Sequence, residues 1–100
     1  MVDAKVLAEV AKQVFEGQEA VTTEYGIARV TTTSRQGLKK VEFKAGDQRL
    51  VGIEQNPKTA SRWAQLARAG HKVMQFRDAG TGAYVAVVVD GKVTLYRPRE

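Results

Sequence analysis

His71 is the only histidine in the chain, and there is no cysteine. Composition therefore excludes a two-histidine metal site, a thiolate zinc site, a disulfide and a cysteine nucleophile. A Ser-His-Asp triad would have to be built on this one imidazole. His71 follows Gly70, where a helix stops and a strand starts, a position that suits a surface or hydrogen-bonded histidine. The carboxylates are scattered. Asp47, Asp78 and Asp90 have turn chemistry as a sufficient reason for their positions, and Glu42 and Glu54 sit in strands. Neither G-x-x-x-x-G-K-[ST] nor G-x-G-x-x-G occurs, and Gly80-Thr81-Gly82 belongs to a hairpin loop rather than a strand-to-helix turn. These residues point away from an enzyme, and neither a metal nor a cofactor is expected.

A second set of residues carries a different chemistry. Lysine and arginine number 16 against 11 acids, a net charge of +5. Residues 1–24 hold two bases (Lys5, Lys12) against five acids (Asp3, Glu9, Glu16, Glu19, Glu24), a net of −3; the other 14 bases and 6 acids give residues 25–100 a net of +8. A body so charged attracts polyanions; a solvated surface tuned for solubility or heat tolerance explains the same numbers. Bases recur on or beside strands, at Arg29, Lys40, Lys44, Arg49, Arg77 and Lys92, and around the second helix, at Lys58 and Arg62. Aromatic residues are interleaved with them. Single-stranded nucleic acid is held by this pairing, since bases track phosphates while flat rings stack on nucleobases. Phe43, Phe76 and Tyr84 alternate with other apolar residues and read as core. Tyr25 and Tyr96 read as exposed rings, and Trp63 lies between the two cases.

The elements that must position these residues follow from pattern. Residues 3–16 form a helix capped by Asp3, stopped by Gly17, with Leu7, Val10, Ala11 and Val14 as its apolar stripe. Gln18 to Val21 is a connection. Thr22–Thr33, Leu38–Ala45 and Arg49–Gln55 read as strands, the second with Val41 and Phe43 on one face and Lys40, Glu42 and Lys44 on the other. Asn56 to Gly70 reads as a helix with Asn56 as N-cap, Pro57 at its first position and Gly70 as its stop. Its inward stripe is Ala60, Trp63, Ala64 and Ala67. Strands His71–Arg77, Ala83–Val89 and Lys92–Arg97 follow, with Pro98 ending the last. Asp90-Gly91 is a type I′ turn that pairs Val89 with Lys92, Val87 with Thr94 and Val85 with Tyr96, and, on the other face, Val88 with Val93, Ala86 with Leu95 and Tyr84 with Arg97. With Phe76 set opposite Tyr84, one face is core. The other collects His71, Val73, Gln75, Arg77, Val85, Val87, Val89, Lys92, Thr94 and Tyr96, and is either covered by a helix or a binding surface. The expected fold is a single α+β domain over residues 1–100. Its sheet, antiparallel or mixed, has five to six strands packed with two helices, in the order α-β-β-β-α-β-β-β. No apolar run is long enough to span a bilayer and no signal-peptide pattern opens the chain, so a soluble cytoplasmic protein is expected.

The basic α/β body, and the stretch Ser61-Arg62-Trp63-Ala64-Gln65-Leu66-Ala67-Arg68-Ala69-Gly70-His71-Lys72-Val73-Met74-Gln75-Phe76, resemble ThermoDBP, the single-stranded DNA-binding proteins of hyperthermophilic archaea. The Cys-free, Ala/Val/Arg-rich composition also fits a thermophile. The resemblance implies a non-OB fold that binds single strands in a cleft, with hydrophobic residues at its base and basic residues along its edges. It implies that Trp63 stacks on a base, with Arg62 as the nearest phosphate contact. The family also carries a C-terminal coiled-coil dimerisation tail, and no heptads follow Tyr96 here, which leaves a homodimer open.

The expectation is sequence-tolerant single-stranded DNA binding without catalysis, through Arg29, Lys40, Lys44, Arg49, Lys58, Arg62, Arg77 and Lys92 with Trp63, Tyr25 and Tyr96. Two alternatives stand beside it. One is a protein-interaction or dimerisation module using Val73, Val85, Val87 and Val89. The other is RNA binding, which ring stacking does not distinguish from DNA.

Overall fold

The structure, a computed structural model, describes residues 3–96. Helix α1 (Ala4–Phe15) begins where expected: the Asp3 carboxylate accepts from the Lys5 N–H at 2.9 Å, and Gly17 takes φ 87° just beyond the last turn. Val6, Leu7, Val10, Ala11 and Val14 are all buried. Seven strands follow: β1 (Ala20–Thr23), β2 (Gly26–Thr32), β3 (Lys39–Ala45), β4 (Gln48–Glu54), β5 (Val73–Asp78), β6 (Tyr84–Val89) and β7 (Lys92–Leu95), with α2 (Arg62–Arg68) between β4 and β5. All neighbours are antiparallel, and the strand order in the sheet is the order in the chain.

The architecture is α+β, but with seven strands, because the single strand expected over Thr22–Thr33 is two. Thr23 pairs with Gly26 across a two-residue turn. The Thr23 hydroxyl accepts from the Tyr25 N–H and donates to the Gly26 carbonyl, and Gly26 adopts φ 130°. A run rich in β-branched residues conceals this turn, since Thr22, Thr23, Tyr25 and Ile27 all favour strand and outweigh the one Gly among them. Ala20 and Val21, expected in a connection, belong to β1.

Six steps of about 4.8 Å would make a flat seven-stranded sheet roughly 29 Å wide. Yet α1, a cylinder of about 10–12 Å, touches β1 at one edge and β6 and β7 at the other. The sheet therefore curls round the helix. Its concave face supplies Val21, Val41, Phe43, Leu50, Met74, Phe76, Ala86 and Val88 to the core. Phe43 and Phe76 meet edge to face with centroids 5.9 Å apart. Gly52 lies under the Phe76 ring, where a Cβ would come within 2.8 Å of Phe76 Cε1.

Helix α2 is shorter than the expected Asn56–Gly70 span. Asn56 does accept from the Lys58 N–H at 2.9 Å, but only a turn results. The helix starts again at Ser61, whose hydroxyl accepts from the Ala64 N–H at 3.1 Å. Thr59 and Ser61 supply the competing side-chain contacts that break the first start. The Thr59 hydroxyl donates to the Asn56 carbonyl, and the Arg68 guanidinium holds the carbonyls of Pro57 and Thr59. The stop is as expected. Gly70 at φ 97° follows the last turn, and the His71 N–H donates to the Leu66 carbonyl while the Gly70 N–H donates to that of Ala67. This is the Schellman arrangement. Ala60 falls outside the helix and is exposed, while Ala64 is fully buried.

The Asp90-Gly91 turn has both residues at positive φ, 49° and 87°, and sets the β6–β7 register as expected. The β5–β6 register is different. Phe76 lies opposite Ala86, and Arg77 opposite Tyr84, with a shift between them. One residue, Val85, is extra on β6, and a bulge of this kind reverses the face taken by the side chain before it, Tyr84. Val85 packs against the core cluster, and Tyr84, expected in the core, is 52% exposed on the opposite face. Tyr96 still donates its N–H to the Val85 carbonyl. Arg97, with the pairing expected for it, and Pro98 lie outside the described residues.

Candidate nucleic-acid interface

The convex face of the sheet is the mixed one, and α2 covers only part of it. Ala64, Val73 and Val87 are buried but stand apart from the α1 core, forming a small second core beneath α2. Of the four valines expected to line this face, two are thus covered and Val85 has turned inward, leaving Val89 half-buried. At seven residues, α2 is about 10 Å long, and beyond its N-terminus the face lies open.

That opening is a groove of about 710 Å³ between the Gln55–Ser61 segment and the sheet. Trp63, Tyr84 and Tyr96 bring three rings to it, with Ile53 and Leu38 as apolar floor and Arg77 and Gln75 beside them. Tyr84 and Tyr96 are 5.8 Å apart, ring edge to ring face. The Arg77 guanidinium lies 4.3 Å from the Tyr84 ring centroid and donates to its hydroxyl. Arg62 lies 4.8 Å from the Trp63 centroid. Both cations keep ring contact without a carboxylate partner among the described residues, a geometry that leaves their charge available to an anion. The Gln75 amide donates to Gln55 Oε1 at 3.1 Å and accepts from the Tyr96 hydroxyl at 3.4 Å, which braces the floor.

The register shows how the expected cations are arrayed. Lys40 lies opposite Ile53, which lies opposite Gln75, so Lys40 stands in the groove's own row. Glu42, Val51 and Arg77 make the next row, and Lys44 and Arg49 the one after. Arg49 pairs with Glu42 at 3.3 Å, both side chains exposed, a contact worth little in water. Lys58 is exposed on the segment that walls the groove. The structure therefore brings Trp63, Tyr96 and Arg77 into the groove, sets Arg62 on the Trp63 ring, and places Lys40 in the strand row that includes Ile53. It does not bring all the expected residues there. Tyr25, Lys44 and Arg49 line a separate opening of about 440 Å³ beside the β1–β2 turn, with Ile27 76% exposed next to them. Arg29 is exposed on β2, and Lys92 at the β6–β7 turn stands opposite Val89.

Tyr84, Ile53 and Leu38 are groove residues absent from the expected site, while Gln75 stands on the face that pattern left as a possible binding surface. Strict alternation counted back from Asp90-Gly91 sends Tyr84 to the core; only the bulge reverses it. His71 is engaged elsewhere, its Nδ1 2.6 Å from Asp90 Oδ2. No cluster of three or more His, Asp or Glu suited to a metal occurs among the described residues, and no helix of the described residues is long and apolar enough to cross a membrane. Comparison with family models, with curated proteins and with solved structures finds no match to this chain.

Proposed function

We propose that this groove binds single-stranded DNA with little sequence preference and without catalysis, and that the chain is a relative of ThermoDBP. The observation that carries the reading is the convergence of Trp63, Tyr84 and Tyr96 with Arg77 on one open apolar floor. Unpaired bases stack on the rings at about 1–3 kcal/mol each. The phosphates follow Arg62, Arg77 and Lys40, with Lys58 on the wall. Rings accept any base face, hence the tolerance for sequence. A duplex keeps its bases stacked on one another and offers the rings nothing. The hydrophobic floor and basic margins are of the kind that the family resemblance implies.

Trp63 is the only tryptophan, so its fluorescence reports on the groove directly. Titration with oligo-dT at low salt should quench it strongly, duplex DNA should quench it less, and added salt should reverse the effect. Oligo-U titrated alongside separates DNA from RNA. No change in Trp63 fluorescence, together with no binding of a labelled oligonucleotide, sinks the proposal.

A further inference from the structure

The two edges of the sheet are treated differently. At the β1 edge, the Gln13 side chain of α1 takes both free backbone groups of one residue: its amide donates to the Thr22 carbonyl at 2.9 Å and its oxygen accepts from the Thr22 N–H at 2.9 Å. A side chain is spent on closing that edge. At the β7 edge no side chain of the described residues plays this part. Lys92, Thr94 and Tyr96 point their N–H and C=O groups toward β6, as the two-residue turn requires and as the Tyr96 N–H to Val85 carbonyl bond fixes. Val93 and Leu95 therefore point theirs outward, and nothing among the described residues takes them. Leu95 adds an apolar side chain that is 45% exposed. An open, apolar edge is a template for another strand.

We propose that the occupant is a second copy of this chain, with β7 pairing antiparallel to β7 about a two-fold axis at Thr94. The strand's own pattern selects this arrangement. Outward-facing residues must meet outward-facing residues, and the only symmetric register that pairs both within β7 sets Val93 of each copy opposite Leu95 of the other. All four outward groups per copy are then satisfied. On the α1 side, apolar meets apolar. On the groove side, Lys92 of one copy meets Tyr96 of the other, a cation beside a ring, and Thr94 meets Thr94. No like charges face each other. The contact is self-complementary, as a two-fold interface has to be. The seven strands become half of a continuous sheet, with both grooves on the same side of it.

The chain has no cysteine, so a single introduced one gives a clean register test. Thr94 and Lys92 are both exposed, and replacing either leaves the core alone. In the proposed pair, the two Thr94 positions form a non-hydrogen-bonded pair with Cα atoms about 4.5 Å apart, within disulfide reach. The two Lys92 positions lie four residues out of register, roughly 13 Å apart. The wild-type chain should sediment at twice its 11.0 kDa, with mass falling on dilution. Thr94→Cys should give a covalent dimer on mild oxidation with diamide, and Lys92→Cys should give none. A wild type that stays single at every concentration overturns the proposal, as does cross-linking that is absent for Thr94→Cys or equal for the two variants. Neither measurement involves DNA, so it stands or falls separately from the proposed function.

Discussion

Tyr84 and Trp63 reach the same groove by different routes, and substitution should separate them. Tyr84 is turned out by the Val85 bulge and is half exposed, held by Arg77 through ring and hydroxyl. Trp63 is half-buried at the start of α2. Removal of the Tyr84 ring takes away a stacking platform and little packing. Tyr84→Ala should therefore weaken oligo-dT binding by about 1–3 kcal/mol, roughly 5- to 150-fold in Kd, with the urea midpoint scarcely moved. Tyr84→Phe keeps the ring and loses only the hydroxyl, and should retain most of the affinity. Trp63→Ala should lower both affinity and stability, the latter by less than the ~3–5 kcal/mol typical of a fully buried large aromatic. Parallel titrations and urea melts of the three variants check this. Wild-type affinity in Tyr84→Ala would remove Tyr84 from the site and leave the groove with two rings.

At the scale of elements, the β6–β7 turn is tied to the α2–β5 connection through one carboxylate. Asp90 accepts from the Lys72 N–H at 2.8 Å with one oxygen and meets His71 with the other, while its own N–H donates to the Lys72 carbonyl. The Lys72 N–H first, and His71 second, hold the Asp90 carboxyl below its ordinary range. The unfolded chain then binds a proton at Asp90 more readily than the folded one. The stability so gained is present above the unfolded carboxylate pKa, near pH 4, and is lost as pH falls through the lower folded value. Asparagine tolerates the positive φ of this position. Asp90→Asn should therefore be less stable than wild type at neutral pH, with the gap closing in acid below about pH 4; urea melts across pH read it, and a gap constant with pH would refute the linkage. This turn was legible in the sequence because Asp-Gly leaves little choice. So were the α1 stripe and the Gly70 stop. What was not legible arose where two local signals competed or where one residue changed a count. Asn56 and Ser61 both offer a cap, and the Thr59 hydroxyl on the Asn56 carbonyl, with the Arg68 contacts to Pro57 and Thr59, favours the later start. Thr23 and Gly26 form a turn inside a strand-like run. The Val85 bulge moves Tyr84 from core to groove, and with it a third of the site's rings.

At the scale of the whole molecule, the expected cations of three adjacent rows share one side of the sheet. Lys40, Lys44, Arg49 and Arg77 stand on the convex face with Glu42 among them, and helix α1, with Lys5, Glu9 and Lys12, lies on the concave one. Charges on α1 lie across the core from that face, about one Debye length or more away at 0.1 M salt, and act only weakly on an anion there. Each phosphate neutralised there releases counterions, and for single strands the slope of log K against log salt is about −0.7 per phosphate. Contacts from Lys40, Lys58, Arg62 and Arg77 would give a slope of about −3. Lys40→Gln should make it shallower by about 0.7 and weaken binding to every oligonucleotide alike, since phosphate contacts carry no sequence. Lys12→Gln removes the same charge from α1 and should leave the slope as it was. Equal effects from the two substitutions would mean that binding senses net charge rather than this face. A flat salt dependence in the wild type would mean that the cations around the groove hold no phosphate at all.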